Sequence, residues 1–163
     1  MTKPVLVTLV STSVLVFDQI TKWWIRHTLP PGDSISVLEC CFHIVHARNP
    51  GGAFSFLAGA HPGFRTVFFL VASVVAIGVL VQVLRSTPAH QRLLVFALAG
   101  LLGGALGNLV DRGRMGHVTD FLGVHWSGYH WPAFNVADSF ITVGLCILVA
   151  HVLFGSDPAG DGQ

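Results

Sequence analysis

Four stretches of almost uninterrupted apolar residues dominate the chain: Pro4 to about Ile25, Val67–Leu84, Leu93–Val110 and Val136–Phe154. At about 1.5 Å of rise per residue, runs of this length suit helices crossing a hydrocarbon core of about 30 Å. The pattern predicts an all-α membrane protein, a bundle of four transmembrane helices. From Thr28 to about Phe64 the pattern changes to two short β-type pieces, around Ser34–Leu38 and Cys41–Ala47, bounded by Pro30-Pro31-Gly32 and Pro50-Gly51-Gly52. They predict a small β-rich subdomain outside the hydrocarbon between helices 1 and 2, one that must lean on the helices or the membrane surface. Residues 1–154 then form a single unit, and the Gly-, Asp- and Pro-containing tail 155–163 reads as disordered.

The first run imitates a secretory leader, with Lys3 ahead of Val5–Phe17. Asp18, Gln19 and Lys22 follow where a small-residue cleavage site would stand, so a permanent span is expected. Composition agrees with the membrane reading: the chain has 163 residues, only 10% of them charged, and a mean hydropathy of +0.68. A formal net charge of +1 provides no basic field for nucleic acid.

Charge matters here by position. Successive spans cross in opposite directions, so the end of span one, the start of span two, the end of span three and the start of span four share one membrane face. Asp18 and Lys22, Arg48 to Phe54, Asn108 to Asp120, and Asn135 to Asp138 all fall on that face. The other face carries Lys3, the Arg85–Arg92 link and the tail. Ionisable groups near hydrocarbon are costly and usually functional or paired, so the clustering predicts a site at one end of the bundle.

Spacing refines this. Asp18 and Lys22, four apart, suit an ion pair on one helical face, next to Trp23 and Trp24 as an interfacial belt. Trp126, Tyr129 and Trp131 are further belt candidates. Asn108, Asp111 and Arg112 share a face, and Asp111 beside Arg112 reads as a structural pair. Gly100 with Gly104 and Gly103 with Gly107 suit close helix packing in lipid. Asn135 and Asp138 occupy the first turn of span four, where unpaired N–H groups favour an anion. Asp120 and Asp138 are the carboxylates with the least obvious local compensation. Facing each other they would share a proton, which suits water-mediated amide hydrolysis. From the residues alone, an aspartate-based enzyme and a proton-coupled transporter both stay open. His43 and His46 lie three apart on a strand and so face opposite ways, which argues against a metal site. Cys40, Cys41 and Cys146 lack metal or redox spacing and are expected to be packing residues.

The ordered blocks FDQITKWW, RNPGGAFSF, GNLVDR with GHVTDF, and FNVADS resemble the motifs of the lipoprotein signal peptidase (signal peptidase II) family, bacterial inner-membrane aspartic proteases. The resemblance covers about Phe17 to Phe140. It implies Asp120 and Asp138 as the catalytic dyad. Asp18, Lys22, Asn49, Gly51, Asn108, Arg112 and Asn135 would support catalysis or substrate binding, and Asp111 would be structural. It further implies a substrate prolipoprotein carrying S-diacylglyceryl cysteine, cleaved immediately before that cysteine, without metal or cofactor. Membrane lipids would be partners, and a globomycin-type inhibitor would bind. The implied topology is multi-pass, with both termini cytoplasmic and the site and β subdomain on the periplasmic face. Lys22, Arg26, Arg48, Arg65, Arg112 and Arg114 on the site side run against the positive-inside tendency. Pro50-Gly51-Gly52 departs from the family's more usual non-proline residue followed by Gly-Ala.

Overall fold

The computed structural model describes residues 1–51, 57 and 59–154. Its elements in chain order are α1 (Lys3–Thr28), β1 (Ser34–Leu38), β2 (Phe42–Asn49), α2 (Pro62–Ser86), α3 (Arg92–Met115), β3 (Val118–Trp126), β4 (Tyr129–His130) and α4 (Val136–Phe154). All four helices are long and apolar enough to cross a membrane. The expected tail at 155–163 lies outside the described residues.

Helix α3 is the hub. It packs against α1, α2 and α4, and small residues on two of its faces let the neighbouring backbones close in. A Cβ on Gly103 would lie 2.6 Å from the Ser11 carbonyl oxygen, and one on Gly107 would lie 2.5 Å from Asp18 Oδ2, both on α1. On the α4 side, a Cβ on Gly104 would lie 2.6 Å from the Ala137 carbonyl oxygen. Gly144 on α4 returns the contact, since a Cβ there would meet the Ala97 carbonyl oxygen at 2.8 Å. The two glycine pairs expected from spacing therefore serve two different partners.

The helix ends sort as span counting requires. Opposite the β subdomain, Lys3 Nζ donates to the Thr87 carbonyl at 2.5 Å and the Arg85 carbonyl at 3.3 Å, tying the start of α1 to the end of α2. An apolar cluster of Leu84, Leu94, Val95, Leu98 and Leu101 fills the same region. Along α2, Val67, Val71, Val74, Val75 and Val79 are exposed, as side chains facing lipid would be, and Leu84 is its buried residue.

The β subdomain is larger than the sequence pattern suggests. The strands form one antiparallel series in the order β1-β2-β3-β4, so half of it comes from the connection between α3 and α4. Strand β3 is hard to read because Val118, Thr119, Asp120 and Phe121 are all buried, which removes the alternation that marks a half-exposed strand. Gly116 starts it: at φ 73° it ends α3, its N–H donating to the Arg112 carbonyl at 2.9 Å. Register then pairs Ala47 with Asp120, Arg48 with Thr119 and Asn49 with Val118. Cross-strand partners share a face, so Asn49 and Asp120 lie on one side of the sheet and Arg48 and Thr119 on the other.

The expectation for the cysteines needs correcting. Cys40 and Cys146 are exposed and Cys41 half-buried, all as free thiols, because Cys40 sits in the β1–β2 turn and Cys146 on the outer side of α4. Trp126, Tyr129 and Trp131 are exposed on the β3–β4 arm and beyond it, as interfacial aromatics would be.

Gly104→Val should lower thermal stability in detergent by about 1–3 kcal/mol through overpacking against α4. Gly78→Ala, where a Cβ meets nothing within 4 Å, should leave the melting temperature unchanged or slightly higher. Equal losses in both variants would contradict the packing assignment.

Candidate active site

Lys22 sits at the root of the polar cluster, fully buried. Its ammonium contacts Asp18 Oδ2 at 2.8 Å and Asp111 Oδ2 at 3.4 Å, and donates to Asn108 Oδ1 at 2.8 Å. Three donors thus meet three acceptors from α1 and α3, the satisfaction a buried cation requires. The expected Asp18–Lys22 pair forms, but at the centre of the bundle end and not at an exposed interface.

Asp111 is a correction. It was expected to pair with Arg112, yet it contacts Lys22 and, at 3.6 Å, Arg26, and it accepts from the Thr119 N–H at 3.1 Å. Adjacent residues on a helix point about 100° apart, so Asp111 turns to α1 and Arg112 does not. Arg112 reaches toward the Asn108 and Gly51 carbonyls, each at 3.5 Å, stands over the Phe69 ring, and lies in the field of Asp138, Asp120 and Asp111.

Asn135 organises the other half. It precedes α4 as its cap: its Oδ1 accepts from the Asp138 N–H at 2.9 Å while Asp138 Oδ2 accepts from the Asn135 N–H at 3.2 Å, a reciprocal capping box. Asp18 adds a third N-terminal satisfaction from outside α4, Oδ1 accepting from the Ala137 N–H at 2.9 Å. The same Asn135 side chain donates through Nδ2 to Asp120 Oδ1 at 2.7 Å. Asp120 Oδ2 accepts from Asn49 Nδ2 at 3.0 Å, and the Gly51 N–H donates to Asn49 Oδ1 at 3.1 Å, turning the amide so that its NH2 faces the carboxyl. Asp138 Oδ1 accepts from Asn108 Nδ2 at 2.8 Å. Backbone bonds between Phe134 and Phe121 and Leu122 pin β3 to the start of α4, which fixes the two carboxyl groups relative to each other.

One residue, Asn135, therefore touches both acids. Burial, followed by the Asp138 charge, raises Asp120 from 3.8 to about 7. Arg112 lies in the field of both dyad candidates, and Lys22 in that of Asp120, so the site holds a negative charge on one carboxyl more readily than on both.

Sequence reasoning passed over Gln19, Arg26 and Thr119. Gln19 Nε2 bridges Asp18, Asp111 and the Gly107 carbonyl, each at 3.2 Å, and its polarity within an apolar run was the available signal. Arg26 Nη1 donates to Thr119 Oγ1 at 3.2 Å; nothing local in the sequence announces that contact. His43 and His46 do diverge: His46 bonds the Leu29 carbonyl and His43 meets His125. Among the described residues no group of three or more His, Cys, Asp or Glu is placed to hold a metal ion.

The four apolar helices thus bring two carboxyls, Asp120 and Asp138, onto one amide residue, Asn135, at one end of the bundle. Residues 10–154 match the family model for signal peptidase (SPase) II. A lipoprotein signal peptidase of Desulforapulum autotrophicum is 48% identical over 92% of this chain and 93% of its own length; one from Geobacter sulfurreducens is 49% identical over 85% and 86%. Two solved structures, each described as a bacterial membrane enzyme determined by the in meso method, superpose with TM-scores of 0.84 and 0.80. They are 30% and 32% identical and cover 96% and 92% of this chain, and 93% and 94% of their own. The chain belongs to the signal peptidase II family, and the transporter alternative is closed.

Lys22→Met should cost about 3–5 kcal/mol by leaving Asp18 and Asp111 as buried charges short of a cation. Asp111→Asn, which leaves the Asp18–Lys22 pair in place, should cost less; detergent melts will rank them. A separate expectation concerns pH. The unfolded Asp120 carboxyl gives up its proton near 3.8 and the folded one near 7, so this group costs stability increasingly as pH rises through that window. The melting temperature of Asp120→Asn relative to the parent should therefore improve from pH 5 to pH 8; a gap independent of pH would contradict the raised Asp120.

Proposed function

We propose that this chain removes the signal peptide from prolipoproteins whose cysteine carries diacylglycerol, cutting immediately before that cysteine with water activated between Asp120 and Asp138. The observation that carries the reading is the meeting of both carboxyls on Asn135, with Asp120 kept protonated to about 7. That the relatives are lipoprotein signal peptidases supports the substrate class.

In this mechanism Asp138 is the ionised partner. It takes a proton from water as the water oxygen attacks the scissile carbonyl carbon, and the Asp120 proton passes to the carbonyl oxygen. Collapse of the tetrahedral intermediate delivers a proton to the leaving nitrogen, and the pair ends with one proton again. Asn108, itself held by Lys22, and Asn135 hold Asp138, Asn49 and Asn135 hold Asp120, Gly51 aims Asn49, and Asp18 caps α4. Arg112 offsets the ionised carboxylate. Asp111 is structural, anchoring α1 and β3.

A diacylated substrate is confined to the bilayer, so it enters sideways, its acyl chains along the apolar flank of α2 and its scissile bond at the polar end. Phe69 under Arg112 brings α2 to the edge of the site. The segment proposed to clamp the substrate, Arg48–Phe56, extends beyond the described residues at 52–56, as does the departure at Gly52. A globomycin-type cyclic peptide would compete for this cleft. We assign the protein to the bacterial inner membrane, both termini cytoplasmic and the site at the periplasmic face.

Purified Asp120→Asn and Asp138→Asn, each folded, should lose at least about 1,000-fold in cleavage of a diacylglyceryl prolipoprotein in proteoliposomes, since each removes a proton-transfer group. Full processing by either variant would remove the dyad. In the parent, the rate should decline above a pH of about 7 as Asp120 gives up its proton; a rate still climbing through pH 9 would count against Asp120 as the acid.

A further inference from the structure

On the face of the sheet turned away from Asp120 lies a cavity of about 620 Å³, between the end of α1, strand β2 and the end of α3. Arg26, His27, His46, Arg48 and His117 line it, and no carboxylate does. Its volume is within the roughly 300–1,000 Å³ of small-molecule sites. The separation from the catalytic side follows from strand alternation: Arg48 pairs with Thr119, whereas Asn49 and Asp120 face the other way.

The cations at this cavity exceed local structural need. Arg26 is committed to Asp111 and Thr119. Arg48 is exposed and makes no ion pair among the described residues. Basic residues in the last turn of a helix complement its dipole, which accounts for Arg26 and His27 at the end of α1. It does not account for His46 and Arg48 arriving from β2, or for His117 beyond α3. His46 Nδ1 contacts the Leu29 carbonyl at 2.6 Å and His117 Nδ1 the Met115 carbonyl at 2.9 Å. Carbonyls only accept, so Nδ1 carries the proton in both rings and Nε2 is left free to meet a ligand. Burial is the main cause that lowers His117, and Arg48 and His46 push the same way against the Met115 carbonyl and Asp111.

Height supplies the second observation. Trp23 and Trp24, each 55% exposed, form an interfacial pair one turn before Arg26. The cavity therefore opens at the level where lipid phosphates lie.

We propose that this cavity is a binding site for a phosphate-bearing anion, the headgroup of an anionic phospholipid or a free phosphate, held by Arg48, Arg26 and the surrounding histidines. Arg48 is the fork that grips phosphate oxygens; although it begins the segment proposed to clamp the substrate, its side chain leaves on the sheet face opposite Asn49 and Asp120, away from the dyad.

The test uses full-length protein in neutral detergent, with binding of dihexanoyl-phosphatidylglycerol, dihexanoyl-phosphatidylcholine and inorganic phosphate measured by titration calorimetry, alongside Arg48→Gln, His117→Gln and Arg48→Lys. Phosphatidylglycerol should bind above phosphatidylcholine and weaken about tenfold in Arg48→Gln, the loss of one charge-assisted contact. It should weaken in His117→Gln and be partly restored in Arg48→Lys. Inorganic phosphate binding as tightly as phosphatidylglycerol, with the same variant dependence, supports the site and makes free phosphate its ligand. Equal binding of both lipids, no binding of either anion, or binding unaltered in folded Arg48→Gln and His117→Gln would overturn the proposal.

Discussion

Lys22 has no water to charge into. At the closed end of a helical bundle its ammonium must be met by protein, and it is met by Asp18, Asp111 and Asn108. That requirement brings α1 and α3 to one fixed separation, which Gly107 permits because any side chain there would strike Asp18. Buried ion pairs contribute little net stability in general, but removing one partner costs several kcal/mol. The cluster therefore acts as a register pin: α1 cannot slide on α3 without leaving a charge alone.

From this pin the site is built outward by hydrogen bonds that each do two jobs. Asp18 pairs with Lys22 through one oxygen and caps α4 through the other. Asn108 accepts from Lys22 and donates to Asp138. Asn135 caps α4 in exchange with Asp138 and donates to Asp120. The acids are thus held by amides whose own geometry is fixed, and a preorganised environment of this kind avoids reorganisation during reaction. The sheet is divided in the same way: one face carries Asn49 to Asp120, and the other carries Arg48 to the cavity at the end of α1.

What was legible in the sequence follows from what is local. Apolar runs gave the four spans, since lipid demands continuous hydrophobicity, and alternating direction gave the polar end. Asp18 with Lys22 was visible at its spacing of four, and the glycines of α3 at theirs. Asp111 was assigned the wrong partner because a neighbour in sequence was preferred to Arg26 and Lys22 on another helix. Strand β3 was hidden because burial on both faces erases alternation, and Asn135 as the shared support of both acids depends on a contact between β3 and α4 that no periodicity encodes. The exposed cysteines were misjudged for a similar reason: in a bilayer, apolar residues on an outer helix face meet lipid as readily as protein.

The central claim is that burial and the Asp138 charge keep the Asp120 carboxyl protonated to about 7. Isotope-edited infrared titration of the Asp120 carboxyl in the purified protein would test it most directly. The account predicts a midpoint near 7 in the parent and a clear fall when Asp138 is replaced by Asn, because the neighbouring negative charge is gone. A midpoint in the ordinary carboxylate range, unchanged by that replacement, would contradict it.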